Sequence, residues 1–156
     1  MTITNHLLAG TLIGLTVSQP ELAIVLAYSS HFAMDAIPHY GYPGGHDFTS
    51  SIIEQKKHKL TYPVVLLTTI TFIALLIFIM HKHQYFALIA GLVAVIPDGF
   101  LVFNYYFYER KKKEMKGLLA YLNLKFHGKI QFERPWGVIT EVVVATGLFV
   151  LLLRYI

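Results

Sequence analysis

From Tyr62 to Met80 the chain runs for about twenty residues without one charged side chain, long enough for a helix to cross a bilayer's hydrocarbon. A backbone placed there has no water to bond, so it must satisfy its own N–H and C=O groups as a helix. Four further apolar stretches have the same character, at about 3–18, 22–37, 85–107 and 137–155. The composition agrees. Of 156 residues, 55% are hydrophobic and 14% charged, against roughly 25% charged in soluble domains. The expected fold is therefore all-α, a single polytopic membrane domain of five helices. Gly117 to Phe126 is an added apolar segment suited to lie along the membrane surface.

Charge sets the orientation. Five spans put the N-terminus and the 41–60 and 108–136 loops on one side. Those loops hold Lys56, Lys57, Lys59, Arg110, Lys111, Lys112, Lys113, Lys116, Lys125, Lys129 and Arg134, against Lys82 and Arg154 opposite. Basic residues concentrate on the cytoplasmic side of inner-membrane proteins, which makes the N-terminus cytoplasmic and the C-terminus external. Since the positive charge sits in loops and no aromatic-rich basic module accompanies it, anionic lipid headgroups are the expected partners and nucleic acid is not. Gly10 and Gly14, four apart, allow another helix to approach closely. A homo-oligomer is compatible with this sequence.

Within these greasy segments a few polar residues stand out. His31 and Asp35 are four apart at the end of the second span and so share one helix face. Pro38 disfavours helix at the residue before it, which leaves His39 just beyond the last turn. His6 opens the first span, and Ile96-Pro97-Asp98-Gly99 interrupts the fourth with a kink and an acid. Glu141 lies about one turn into the last span. A charged residue at bilayer depth costs about 2.5 to 3.5 kcal/mol on insertion scales and must pair, bind a cation or line water. With the orientation above, all these residues fall in one slab near the cytoplasmic interface, and they are expected to converge.

Without cysteine, any metal here is held by imidazole and carboxylate, a donor set that suits zinc, manganese or iron. The expected ligands are His6, His31, Asp35 and Asp98, with His39 as a further ligand or catalytic neighbour. Glu141 would act as general base or as a further ligand. His127 would protonate a leaving group, and Lys125, Lys129 and Arg134 would hold a phosphate headgroup. An open coordination position makes this a candidate centre for hydrolysis of a lipid or polyprenyl phosphoester. Two other classes use the same residues. In a metal-ion or proton transporter, the kinked helix and intramembrane carboxylates would line a path. In a non-catalytic scaffold, His31 and Asp35 would be an ion pair locking helices, Asp98 a cap for the half-helix after Pro97, and Glu141 a first-turn acid complementing the helix dipole.

The His6-Leu7-Leu8-Ala9-Gly10 start, the His31-x-x-x-Asp35 helix end and the Ile96-Pro97-Asp98 element resemble the bacterial inner-membrane metal-dependent hydrolase family, described as zinc-dependent and phospholipase-like. These short motifs are scattered over about two-thirds of the chain. The resemblance implies that His6, His31, Asp35 and Asp98 are the metal residues. Where that family carries a second aspartate after the Pro-Asp pair, this chain has Gly99-Phe100, and the family's His-Arg-x-x-x-His-Ser element is missing.

Overall fold

The computed structural model describes residues 1–40, 84–107, 131–132 and 135–155, with scattered positions between 66 and 81 that are all helical. At 40, 101–107, 131, 132, 135, 136 and 138 it describes the backbone alone. Four helices account for most of this: α1 (Ile3–Thr16), α2 (Pro20–Asp35), α3 (Tyr85–Phe107) and α4 (Pro135–Leu152), the last followed by a 3₁₀ turn at Leu153–Tyr155. The class is helical, as expected. A two-residue parallel pair, β1 (His39–Tyr40) with β2 (Gln131–Phe132), adds a feature too short to show in residue patterning. It ties the segment leaving α2 to the segment entering α4.

Each helix boundary has a local cause. Pro20 occupies the first turn of α2, where its missing N–H would have had no helical partner. The same helix stops at Asp35, two residues before the apolar stretch ends, because Pro38 disfavours helical geometry at Ile37. At the end of α1 the Thr16 hydroxyl donates back to the Leu12 carbonyl at 2.9 Å. The stretch expected from Tyr85 to Phe107 is one helix, α3, with Pro97 in its interior. One proline removes one hydrogen bond, and the packed turns on either side hold the rest of the ladder. Asp98 is therefore a mid-helix residue, not the cap of a second half-helix.

The central element is α1, which packs against α2, α3 and α4. Every residue from Thr4 to Thr11 is buried, as a helix surrounded on all sides requires. Its crossing with α3 is made of small residues. A Cβ at Gly10 would come within 2.6 Å of the Ala90 carbonyl and 2.7 Å of the Ala94 Cβ, and one at Gly14 within 2.7 Å of the Ala87 Cα. The Gly10/Gly14 pair thus does what its spacing suggests, and its partner is α3 of the same chain. Leu7, Leu8, Leu75 and Leu152 form one apolar cluster beside this crossing, and Ala27, Ala90 and Ala94 another.

Among the described residues, polar side chains are buried at the helix crossings beside leucines and alanines, while many large apolar ones are exposed. Of the described residues, His6, His31, Asn5, Thr11 and Asp35 have the largest fully buried side chains, whereas Val25, Ile89, Leu92, Ile96, Val142, Val143 and Phe149 are exposed. Among the described residues no helix is long and apolar enough to cross a membrane. That covers the side chains of α3 only as far as Phe100.

Candidate metal centre

Three helices each bring one part of the centre. His6 comes from the first turns of α1, His31 and Asp35 from the last turns of α2, and Asp98 from the middle of α3. Because α2 rises about 1.5 Å per residue with 3.6 residues per turn, His31 sits one turn above Asp35 on the face that meets α1 and α3. Close packing of α1 on α3 at Gly10 then carries His6 to the same level as Asp98.

A single ligating atom from each of His6, His31 and Asp98 can be chosen so that all three lie within 4.8 Å of one another. Asp35 spans the two histidines, with Oδ1 at 3.1 Å from His6 Nε2 and Oδ2 at 3.3 Å from His31 Nε2. Asp98 Oδ1 is 3.9 Å from His31 Nε2. Both imidazoles are stacked, ring centroids 4.0 Å apart, so their edges face the carboxylates side by side. The amino group of Met1 lies 2.5 Å from Asp35 Oδ1.

Proton positions follow from the partners. A carbonyl only accepts, so the 3.0 Å contact between His31 Nδ1 and the Ala94 oxygen places the ring proton on Nδ1. His31 Nε2 faces Asp35 Oδ2 at 3.3 Å and Asp98 Oδ1 at 3.9 Å. This is how a metal-ligating histidine is oriented by the group behind it. Pro97 has no N–H to give the Val93 carbonyl in the same turn of α3. His6 Nδ1 is fully buried and has no hydrogen-bond partner among the described residues.

These features fit a divalent cation. Ligands held about 2.0–2.2 Å from a tetrahedral zinc lie roughly 3.3–3.6 Å from each other. Within the converging group, His31 Nε2 and Asp98 Oδ1 stand 3.9 Å apart, a few tenths of an ångström beyond that span. Asp35 lies outside the group and turns Oδ1 to His6 and the Met1 amino group and Oδ2 to His31. Nitrogen and carboxylate donors without sulfur match zinc, manganese or iron.

Of the other sequence-predicted residues, His39 is buried at β1, with Nδ1 donating to the Ile37 carbonyl at 2.8 Å. Burial holds its pKa below the ordinary 6.5, and the Met1 amino group pushes the same way, against the Ile37 hydrogen bond, Asp35 and Glu141. As pH falls through 6.5, the unfolded chain therefore takes up this proton before the folded one. Stability from a neutral His39 is complete above 6.5 and is lost below it. Melting of the metal-free protein should fall more between about pH 7.5 and about pH 5.5 than melting of His39→Phe. Equal slopes would show that His39 does not set this dependence.

Glu141 is committed elsewhere. Its carboxylate accepts from the Thr2 backbone N–H at 3.1 and 3.2 Å, from the Thr2 hydroxyl at 2.9 Å and from Asn5 Nδ2 at 2.6 Å. Asn5 Nδ2 also donates to the Glu141 carbonyl at 3.2 Å. The Thr2 side chain makes no capping bond to α1. Glu141 thus pins the start of α1 to α4, at one border of the centre. Replacing it with alanine strands the part-buried Thr2 N–H and hydroxyl and leaves Asn5 Nδ2 only the backbone carbonyl of residue 141, a loss on the order of 1–3 kcal/mol. Glu141→Ala should melt well below wild type while its zinc affinity changes far less than that of a ligand variant. An unchanged melting point would refute the pin.

Lys125, His127, Lys129 and Arg134 lie outside the described residues. Four participants went unread in the sequence: the Ala94 carbonyl, which carries no side-chain signal, the Met1 amino group on Asp35, Thr2 on Glu141, and Asn5, whose polar side chain in an apolar helix beside His6 was a usable signal. Compared with protein-family models, curated proteins and solved structures, the chain matches none.

Proposed function

We propose that this chain is a membrane-embedded, metal-dependent hydrolase that acts on a lipid or polyprenyl phosphoester at the cytoplasmic face. The observation that carries this reading is the convergence of His6, His31 and Asp98, from three helices, to within 4.8 Å, with Asp35 spanning both histidines. The exposure of many large apolar side chains supports a membrane setting, since contiguous exposed apolar surface marks membrane or protein contact. In addition, α3 extends over 23 residues with Asp98 as its one charged side chain.

In this reading His6, His31, Asp35 and Asp98 hold the ion. When bound, such an ion supplies the polarisation that makes water nucleophilic near neutral pH and withdraws charge from a phosphoester. His39, its proton fixed on Nδ1 by the Ile37 carbonyl, offers Nε2 as a proton acceptor. Lys125, Lys129 and Arg134 bind the phosphate and His127 protonates the leaving oxygen. Apolar outer faces of the helices hold the substrate's tail in the lipid.

Elemental analysis of detergent-purified protein tests the centre, followed by turnover of phosphatidic acid and a polyprenyl diphosphate before and after chelation. Near-stoichiometric zinc, manganese or iron, with turnover lost on chelation and restored by the ion, is expected. No bound ion after dialysis against each metal would sink the reading and leave the buried groups as helix locks. A bound ion without turnover would reduce it to a structural or transport site.

A further inference from the structure

The four ligands are unequally enclosed. His6, His31 and Asp35 have side chains 0–1% exposed, whereas Asp98 is 17% exposed. Whatever reaches the centre therefore meets Asp98 first. Each residue turns a helix by about 100°, so Pro97 and Gly99 flank Asp98 on opposite sides. Pro97 is buried and Gly99 is exposed. A side chain built at Gly99 meets no described atom within 4 Å. Leu92 and Ile96 are exposed on the side of α3 that Gly99 borders. At about 100° per residue Gly99 is the member of this stripe nearest Asp98, which stands about 120° and about 160° round the helix from the other two.

We infer that the centre is reached laterally across Gly99, the exposed residue beside Asp98, so that an apolar-tailed phosphoester brings its phosphate past Gly99 to Asp98 while its tail stays in the lipid against the outer face of Leu92 and Ile96. This rests on the metal-hydrolase reading and adds the direction of approach and the substrate's form. Glycine at 99 keeps the route clear, and a bulky group there closes it without touching a ligand.

The chain has no cysteine, so one introduced thiol is labelled alone. Gly99→Cys is compared with Gly147→Cys, whose position on α4 likewise has no described atom within 4 Å of an added Cβ. Each is loaded with zinc, reconstituted in phosphatidylcholine vesicles, and labelled or not with pyrene maleimide. Release of zinc is then timed with lipid-soluble 1,10-phenanthroline and with charged EDTA. Label at 99 should slow release to phenanthroline at least ten-fold, label at 147 should not, and EDTA should be the slower chelator throughout. Unlabelled Gly99→Cys with wild-type zinc content shows that the fold is intact, and Gly99→Trp gives the same readout if the cysteine variant does not fold. Zinc present but released at the same rate with label at 99, or as fast to EDTA as to phenanthroline, overturns the lateral route alone. A wild-type protein that binds none of zinc, manganese and iron overturns both this route and the hydrolase reading; if it takes up only manganese or iron, the same release is timed with that ion.

Discussion

Gly10→Leu should yield no folded, monodisperse protein. Even the first atom of a side chain at this position would stand 2.6 Å from the Ala90 carbonyl, 2.7 Å from the Ala94 Cβ and 2.9 Å from the Gly91 Cα. Two of those neighbours are backbone atoms of α3, which no rotamer change can move aside. Relief requires the two helices to separate along the crossing that organises the molecule. For the single methyl of Gly10→Ala the cost is roughly 1–3 kcal/mol, typical of overpacking. Leucine adds three more heavy atoms and exceeds what a marginally stable domain can absorb. The effect reaches the centre, because the same crossing presents the Ala94 carbonyl to His31 and carries Asp98 toward His6. Thermal melting and size-exclusion chromatography in detergent check this, with Gly147→Leu as the neutral partner. A Gly10→Leu protein that melts like wild type would show that α1 and α3 do not cross here.

His31→Ala should weaken zinc binding by at least about 100-fold, because losing only the group behind a ligand already costs roughly 10–100-fold. The position has two functions, and the variants separate them. Its Nδ1–H ties α2 to α3 through Ala94, and its Nε2 faces Asp35 and Asp98. Glutamine retains an amide N–H that can donate to the Ala94 carbonyl, while offering a poor metal ligand in place of imidazole. His31→Gln is therefore expected to melt near the metal-free wild type yet bind zinc nearly as weakly as His31→Ala. Competition against a chromophoric chelator measures the affinities. Wild-type affinity in the glutamine variant would remove His31 from the ligand set and leave it a helix tie.

Much of the helical layout was legible in the residues. The apolar run from Tyr85, with Asp98 its one charged side chain, and the proline at position 20 placed α3 and α2 to within two residues, because apolar length and proline stereochemistry act locally. Pro97 left open whether Asp98 caps a half-helix; the continuous α3 places it mid-helix, because a single lost hydrogen bond does not break a helix whose neighbouring turns are packed. Glu141 was legible as a buried acid, not in its role. Its partners Thr2 and Asn5 lie more than 130 residues away in the chain, and no local pattern links them. The β1–β2 pair was invisible for the same reason, since two residues carry no periodicity.

The sequence by itself determined that the chain is helical, that it lacks thiolates, and that histidine and aspartate interrupt otherwise apolar segments, since composition and spacing act within each segment. It also placed His31 and Asp35 on one face, because helical geometry relates residues four apart. Only the tertiary structure decided that His6 and Asp98 join them while Glu141 turns to the start of α1. That choice depends on how each helix is rotated about its own axis. Here the rotation is set by contact between Gly10 and Gly14 on one side and Ala87, Ala90, Gly91 and Ala94 on the other, a fit between surfaces distant in the chain.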